Sequence, residues 1–280
     1  MASYIDDLRL AHMLADNADS ITESRFKAQD LNVETKPDRT AVTDADRAVE
    51  EALRKLLATA RPRDAVLGEE MPDTGYGPRQ WIIDPIDGTA NYLRGVPVWA
   101  TLIGLMVDGV VRAGVVSAPL LGRRWWAAEG DGAFTGRSLL KAERIRTSAI
   151  RRVSDSFVSY SSLGGWIVSG RGQGFVDLLR DAGRTRAFGD FWSYMLVAEG
   201  AVDAAAEPEL SLWDKAALDI IVREAGGRFT DLDGNDGSYG PGAIASNGRL
   251  HDELVLRLSQ PEVELEETTG IIMPIPEQHS

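Results

Sequence analysis

Apolar residues near the start of the chain recur every three or four positions, the spacing of one face of an α-helix. This pattern predicts an amphipathic helix over residues 4–26, formed by Ile5, Leu8, Ala11, Ala15, Ala18 and Ile21. A second stripe, preceded by Thr43 in a capping position, predicts another helix through Ala48, Val49, Ala52, Leu53, Leu56 and Leu57. The chain therefore begins with two helices that each have one face to bury.

Short apolar runs follow the two helices and predict β-strands, two of which flank the turn signal Asp108-Gly109 and form a hairpin. The second half of the chain mixes both kinds of element. Helices are predicted over 175–179, 192–201, 214–225 and 250–258, and strands over 229–230 and 243–246. Because helices and strands alternate without the regular period of a doubly wound sheet, we expect an α/β or α+β fold with substantial antiparallel content.

The composition narrows the chemistry. The 280 residues include 30 Lys and Arg against 43 Asp and Glu, which gives a net charge of −13, with no cysteine and three histidines. Zero cysteine excludes a thiolate nucleophile and any Cys-bound metal site. A charge this negative argues against nucleic-acid or anionic-membrane partners. No run of about 20 apolar residues predicts a membrane span, the N-terminus lacks signal-peptide features, and a cytoplasmic location is expected.

Part of the negative charge lies at the end of the chain. From Pro261 onward there are five glutamates, three prolines and no lysine or arginine. This composition predicts an acidic, disordered tail over residues 261–280. The remaining residues, 1–260, are expected to form a single catalytic domain with subdomains of roughly 1–145 and 146–260.

Acidic residues follow apolar runs at four places, where strands end and sites are commonly built. They are Asp44 and Asp46, Glu69 and Glu70, Asp84 and Asp87, and Asp214. Grouped carboxylates repel one another unless a cation neutralises them. Ligand sets made of oxygen alone favour hard cations, Mg²⁺ or Mn²⁺ before zinc.

The segment from Asp84 to Thr89 is the most informative of these. Its two carboxylates, Asp84 and Asp87, are three residues apart around a proline and can face one metal cluster, together with the Ile86 carbonyl. Gly88 and Thr89 then open a predicted helical turn, whose exposed amides can bind phosphate. The alternative is a tight loop without a chemical role.

Four motifs resemble, in order and spacing, those of the inositol monophosphatase superfamily: Val42-Thr43-x-x-Asp46, Gly68-Glu69-Glu70, Asp84-Pro85-Ile86-Asp87-Gly88-Thr89-x-Asn91 and Trp213-Asp214-x-Ala216. The resemblance covers roughly residues 1–260. It implies a layered α-β-α-β-α sandwich, usually dimeric, with largely antiparallel sheets. It also implies a lithium-sensitive phosphomonoesterase that uses two or three Mg²⁺ ions, with Mn²⁺ as a substitute, to activate a water.

The resemblance also implies roles for single residues. The metal ligands would be Glu69, Asp84, the Ile86 carbonyl, Asp87 and Asp214. Thr89, hydrogen-bonded to Asp46, would help to deprotonate the attacking water, and Glu69 and Glu70 would support a bound water. Asp46 has a second interpretation, because Thr43-x-x-Asp46 also fits a helix capping box. Asp44 is expected to be a helix-start acid.

The leaving-group side is predicted from two further acids. Asp190 and bulky aromatic residues stand where the inositol phosphatases carry small residues, and Glu207 matches the superfamily's substrate-contacting acid. With the segments 96–99 and 123–126, this stretch resembles the histidinol-phosphatase branch, which implies L-histidinol phosphate as substrate. Asp190 could instead cap the helix that follows it. The sequence leaves open whether Arg184 or Arg186 contacts the substrate.

Three other functions are compatible with parts of the sequence. An enzyme of the same fold could act on inositol-1-phosphate, a nucleotide 3′-phosphate or a sugar bisphosphate such as fructose bisphosphate. A calcium-binding loop at residues 231–242 fails because Asp236 replaces the required glycine and Gly242 the required glutamate. A scaffold that keeps the fold without catalysis is the third, and the full set of acids argues against it.

Overall fold

A computed structural model describes residues 3–36 and 41–259 of the chain. The predicted tail at 261–280 lies outside the described residues. The helices of the described part are α1 (Ile5–Arg25), α2 (Asp44–Ala60), α3 (Thr89–Arg94), α4 (Leu163–Val168), α5 (Gly172–Asp181), α6 (Asp190–Ala198), α7 (Leu212–Glu224) and α8 (His251–Leu258). In the described ranges, no helix is long and apolar enough to span a membrane.

The strands are shorter, and we number them in chain order. They are β1 (Val33–Thr35), β2 (Ala41–Thr43), β3 (Ala65–Gly68), β4 (Arg79–Asp87), β5 (Ala100–Val107), β6 (Val110–Ala118), β7 (Arg123–Ala128), β8 (Gly132–Ser138), β9 (Lys141–Arg144), β10 (Phe157–Ser159), β11 (Arg184–Arg186), β12 (Ala204–Glu207), β13 (Arg228–Thr230) and β14 (Ala243–Ser246). The predicted hairpin is β5–β6, and Asp108 and Gly109 at its turn both have positive φ.

Two sheets dominate the fold. The larger has seven strands in the order β3-β4-β5-β6-β7-β8-β9, with only the β3–β4 pair parallel. The smaller has the order β11-β10-β12-β14-β13, and β10 pairs in parallel with both β11 and β12. The remaining pair, β1–β2, is an antiparallel ribbon before α2.

Helices cover the outer faces and separate the sheets. The apolar stripes of α1 and α2 bury against one face of the seven-stranded sheet, around Trp81. Helices α6 and α7 lie between the two sheets, and α4, α5 and α8 cover the outer face of the smaller sheet around Trp166. The order of layers is α-β-α-β-α, so the fold predicted from the motifs is confirmed.

Helix α7 lies unusually close to the seven-stranded sheet. Gly104 and Gly114 are cross-strand partners on β5 and β6, directly below the helix. A Cβ atom added to Gly104 would lie 3.0 Å from the Ala216 Cβ, and one on Gly114 would lie 2.7 Å from the Ile220 Cγ2. The glycines therefore allow the helix to approach, and this contact fixes the position of Asp214 in its first turn.

Candidate active site

Three acids meet between the two sheets. Asp84 and Asp87 are on β4, where the pairing with β5 shifts register between them, and Asp214 is in the first turn of α7. Each offers a carboxylate oxygen, and these oxygens all lie within 4.8 Å of one another. The sequence prediction that these three acids form one cluster is matched by the structure.

The environment of this cluster disfavours negative charge. Asp84 is 1% exposed, and burial, together with the charges of Glu69 and Asp87, raises its pKa well above the usual range. Burial and the charge of Asp190 do the same for Asp87, and burial raises the pKa of Asp214 to about 7. The Oδ1 of Asp84 has no hydrogen-bond partner among the described residues. Buried, unpartnered carboxylate oxygens fit a hard divalent cation.

Glu69 and Glu70 come directly after β3 and face the same region. The Lys36 ammonium lies 2.7 Å from the Glu69 Oε1 and 2.6 Å from the Glu70 Oε1. Burial raises the pKa of Glu70 to about 7, although its hydrogen bond to Lys36 opposes the rise. Sequence reasoning missed Lys36, because it is more than 30 residues away and lies in no recognisable motif.

A buried glutamate on α2 holds the loop that carries these two acids. The carboxylate of Glu50 accepts hydrogen bonds from the backbone N–H of Glu70 at 2.7 Å and of Met71 at 3.2 Å, and it pairs with Arg54 at 2.7 Å. A Cβ on Gly68 would collide with this carboxylate. The signal that could have found Glu50 is an acid on the core-facing stripe of α2, one turn before Leu53.

Asp46 is fully buried at the start of α2. Its Oδ2 accepts hydrogen bonds from the Thr43 backbone N–H at 2.8 Å and the Thr43 hydroxyl at 2.6 Å, so the capping box is present. Its Oδ1 has no partner in the part of the chain described, and burial raises its pKa to about 6. Asp44 is the first residue of α2 and pairs with Arg25 at 2.7 Å.

The expected hydrogen bond between Thr89 and Asp46 is not formed. The Thr89 hydroxyl donates to the Ile86 carbonyl at 3.0 Å instead. The reason is local geometry: that carbonyl lies three residues before Thr89, and the capping box already occupies one oxygen of Asp46. The catalytic roles of Asp46 and Thr89 stay predictions.

Gly88, the residue before α3, has a φ of +86°, a conformation that favours glycine. A Cβ at this position would lie 3.1 Å from the Val98 carbonyl and 3.3 Å from the Asp190 Oδ2. The turn therefore brings α3 and Asp190 together beside the acid cluster. Phosphate binding by Gly88 and Thr89 stays a prediction.

The Asp190 side chain does not cap the helix that it begins. The residue before α6 is Gly189, which makes no side-chain cap, and the Asp190 Oδ2 accepts a hydrogen bond from the Asn91 Nδ2 at 3.2 Å. The next amide, that of Phe191, donates to the Asp87 Oδ2 at 2.7 Å. The carboxylate of Asp190 thus points toward the cluster and away from the helix end.

Glu207 ends β12 on the same side. Its Oε1 is buried without a hydrogen-bond partner among the described residues, as is the hydroxyl of Tyr194. Burial raises the pKa of Glu207 to about 8, and the charge of Asp190 adds to this rise. Sequence reasoning missed Tyr194, whose place on α6 between Phe191 and Val197 looks like that of any core aromatic.

Comparison with known proteins shows which family the chain resembles as a whole. The model of the inositol monophosphatase family matches residues 6–264. The chain belongs to the inositol monophosphatase family. The resemblance seen in the four motifs is thereby confirmed, and the motifs hold members of the acid cluster and the segments around it.

Similar proteins and solved structures come from the same family. The chain is 62% identical to a histidinol-phosphatase of Streptomyces coelicolor over 264 residues, which is 93% of this chain and 99% of the relative. It is 56% identical to a histidinol-phosphatase of Mycobacterium tuberculosis, over 91% and 98% of the two chains. An inositol monophosphatase structure from Thermotoga maritima superposes with a TM-score of 0.80 at 32% identity, over 90% of this chain and 96% of that one.

Inositol monophosphatases depend on metal ions, and the acids of this chain form a cluster that could hold one. The sequence left open whether two arginines contact the substrate. Arg184 and Arg186 lie on the edge strand β11, where Arg184 covers the ring of Phe157 and Arg186 donates to its neighbouring carbonyl. Neither arginine forms a hydrogen bond or an ion pair with Asp190 or Glu207 in the described part of the chain.

Proposed function

We propose that this chain is a Mg²⁺-dependent phosphatase that hydrolyses L-histidinol phosphate to L-histidinol and phosphate. The observation that carries the proposal is the pair of half-buried acids, Asp190 and Glu207, beside the cluster of Asp84, Asp87 and Asp214. Two carboxylates on the leaving-group side suit an alcohol that carries an ammonium and an imidazole. The names of the two most similar relatives reported above support the same substrate.

The cluster would hold the metal ions through Glu69, Asp84, the Ile86 carbonyl, Asp87 and Asp214. Bound divalent cations lower the pKa of water and neutralise the charge of the phosphate. All five groups offer oxygen ligands, and the chain has no cysteine that could compete for the metal ions. The Ile86 carbonyl accepts the Thr89 hydroxyl bond described above, and a carbonyl oxygen has a second lone pair that can serve a ligand.

The protein's own groups can accept the proton released during attack. The Asp46 Oδ1 is free of hydrogen bonds within the described residues, and with a pKa of about 6 this carboxylate is mostly ionised at neutral pH. The pKa of Glu70, about 7, also suits a group that takes up and releases a proton near neutral pH. Thr89 would have to turn its hydroxyl from the Ile86 carbonyl to orient the water.

The leaving group would be held by charge. The pKa values of Asp190 and Glu207 are raised mainly by burial, so a cation placed between them lowers both pKa values and restores the ionised carboxylates. A neutral polyol supplies no such charge. The two acids therefore favour a nitrogen cation over inositol.

The test is phosphate release from L-histidinol phosphate, inositol-1-phosphate, adenosine 3′,5′-bisphosphate and fructose bisphosphate, with Mg²⁺ and with EDTA. We expect kcat/KM for L-histidinol phosphate to exceed the others by about 100-fold, since two charged contacts contribute more than one hydrogen bond. EDTA should abolish release and Mg²⁺ restore it. A higher kcat/KM for any of the other three esters would overturn the assignment of L-histidinol phosphate as the substrate.

We also propose that each site binds two or three Mg²⁺ ions, that Mn²⁺ can replace them and that Li⁺ inhibits. The support is the resemblance of the motifs together with the all-oxygen cluster. Titration of the metal-free protein with Mn²⁺, followed by calorimetry, measures the stoichiometry. A rate that is unchanged by millimolar Li⁺ would contradict the inhibition.

The dimer is proposed from the resemblance of the motifs, and the exclusion of nucleic-acid and membrane partners from the net charge of −13. We infer a homodimer in the cytoplasm, with residues 1–260 as one catalytic domain, and neither nucleic acid nor membrane as partner. Sedimentation velocity of the full chain distinguishes a dimer of about twice the chain mass from a monomer. A monomer at micromolar concentration would overturn this assignment without affecting the proposed reaction.

A further inference from the structure

Three parallel strands of the smaller sheet end beside the proposed leaving-group pocket. The strands β11, β10 and β12 are neighbours and run in the same direction, and carboxyl ends of parallel strands meet at one edge of a sheet. Ser161 follows β10 by two residues, Asp190 follows β11 by four, and Glu207 ends β12. This edge therefore brings one hydroxyl and two acids together.

The backbone of Asp190 has an unusual conformation. Its φ is +49°, and it follows Gly189, whose φ is +85°. A non-glycine residue in this region persists only where its surroundings hold it. The backbone N–H of Asp190 donates to the Ser161 Oγ at 2.8 Å. Without that oxygen, this half-buried amide would lose its partner.

Two further hydrogen bonds hold the same segment. The Asn91 Nδ2 donates to the Asp190 Oδ2 at 3.2 Å, and the Phe191 N–H donates to the Asp87 Oδ2 at 2.7 Å. The bond to Asp87 joins the segment to β4 of the larger sheet, and the bond to Ser161 joins it to the end of β10 in the smaller sheet. The bond to Ser161 therefore determines where the Asp190 carboxylate lies relative to β10 and β12.

Ser161 also interacts with the second acid. The Ser161 hydroxyl lowers the pKa of Glu207, against the rise that burial causes. Asp190 and Glu207 repel each other when both are charged. A small hydroxyl that bonds to the backbone of one acid and interacts with the carboxylate of the other can keep the two at a fixed separation.

We propose that Ser161 is a positioning residue that sets the placement of Asp190 relative to Glu207, and thereby the preference for a leaving group with two nitrogen centres. The inference rests on the proposed function. Ser161 acts through the two acids and takes no part in the transfer of phosphate to water. Its loss should therefore change substrate preference and leave phosphate chemistry unaffected.

The test compares Ser161→Ala with Ser161→Thr, which keeps a hydroxyl, and with Ser162→Ala as a matched control. The Ser162 hydroxyl caps α4 by accepting from the Gly164 N–H at 3.1 Å and has no bond to Asp190. We expect Ser161→Ala to raise KM for L-histidinol phosphate about tenfold, with kcat and the rate on p-nitrophenyl phosphate within about twofold. Ser161→Thr should restore most of the affinity, and Ser162→Ala should match the unmodified protein.

A double-mutant cycle with Asp190→Ser separates positioning from a general loss of structure. If Ser161 acts through Asp190, then Ser161→Ala adds little in the Asp190→Ser background. Equal losses on both substrates, or full additivity in the cycle, would overturn the role of Ser161 while leaving the proposed function in place. An unmodified chain that does not hydrolyse L-histidinol phosphate would overturn the function and this role together.

Discussion

Asp84, Asp87 and Asp214 hold their carboxylates within a few ångströms of one another in a region with little access to water. Each pKa is raised chiefly by burial, and the neighbouring charges add to the effect. Ionising these groups without a bound cation therefore costs folding free energy. A cation that binds only the folded chain returns that free energy by mass action.

The stability of the metal-free protein should accordingly fall as the pH rises. Asp214 and Glu207 have folded pKa values of about 7 and about 8, against about 4 in the unfolded chain. Between these values the folded state holds more protons, so the free energy of unfolding decreases with increasing pH. We expect the Tm in EDTA to drop by roughly 5 °C or more from pH 5 to pH 8.5.

Calorimetric scans across that range, with EDTA and with saturating Mg²⁺, measure the effect. Mg²⁺ should remove most of the decline, because bound cations keep the carboxylates ionised without penalty. A Tm that rises with pH in EDTA would contradict the account of the cluster.

Substrate preference can be tested at a single side chain. Asp190→Ser should lower kcat/KM for L-histidinol phosphate by roughly 30-fold, because it removes a charged partner of the leaving group. The rate on p-nitrophenyl phosphate, which has no such cation, should change little. The measurement is the ratio of the two kcat/KM values, and equal losses would show that Asp190 supports the site as a whole.

At the scale of elements, helix α2 both contributes a residue to the site and supports a loop of the site. Its first turn carries Asp46, and one turn later Glu50 holds the loop that follows β3. The helix was predictable from its apolar stripe. Its function as a support was not, because Glu50 bonds to backbone amides 20 residues away that no motif identifies.

Glu50→Ala should destabilise the protein by about 3 kcal/mol, since it leaves Arg54 and two backbone amides without their partner. It should also raise the Mg²⁺ concentration needed for half-maximal activity, because Glu69, a proposed metal ligand, lies in the loop that Glu50 holds. Urea unfolding and a Mg²⁺ titration measure the two effects. The control is Glu51→Ala, which removes an exposed pair with Lys55 and should change neither; similar losses in both variants would contradict the support by Glu50.

Other elements were predictable only in part. The helix predicted over 192–201 begins two residues earlier, at Asp190, and ends three residues earlier, at Ala198. Helix α4 was not predicted, since two glycines in its first turn lower its helix propensity. Strands β10 and β11 have three residues each, too few to show an alternating pattern.

At the scale of the whole molecule, the two sheets meet through α6 and α7. The contact of α7 with Gly104 and Gly114 was invisible in the sequence, because it depends on strand register and on a helix 100 residues later. The acids of the site were predictable because their spacing is local within each motif. Their assembly depends on the layers, which only the fold provides.

Gly114→Ala tests this dependence. Its Cβ would press on Ile220 and Ala217, so we expect a loss of about 2 kcal/mol in the free energy of unfolding. It should also lower kcat, because α7 carries Asp214 and must shift. Gly77→Ala, where the nearest atom is 3.9 Å away, is the control and should leave both quantities near those of the unmodified protein. A fully active Gly114→Ala would show that the position of α7 is not critical.

The strand ends of the smaller sheet hold the groups proposed to face the leaving alcohol, whereas β4 and α7 hold the cluster of Asp84, Asp87 and Asp214 proposed to bind metal. Recognition and chemistry are thus encoded in separate stretches of the gene. Substitutions near residues 161, 190 and 207 could therefore change the substrate preference of an enzyme during evolution while it continued to hydrolyse phosphate esters. A chimera that takes residues 157–208 from a polyol-specific relative should change its substrate preference in one step.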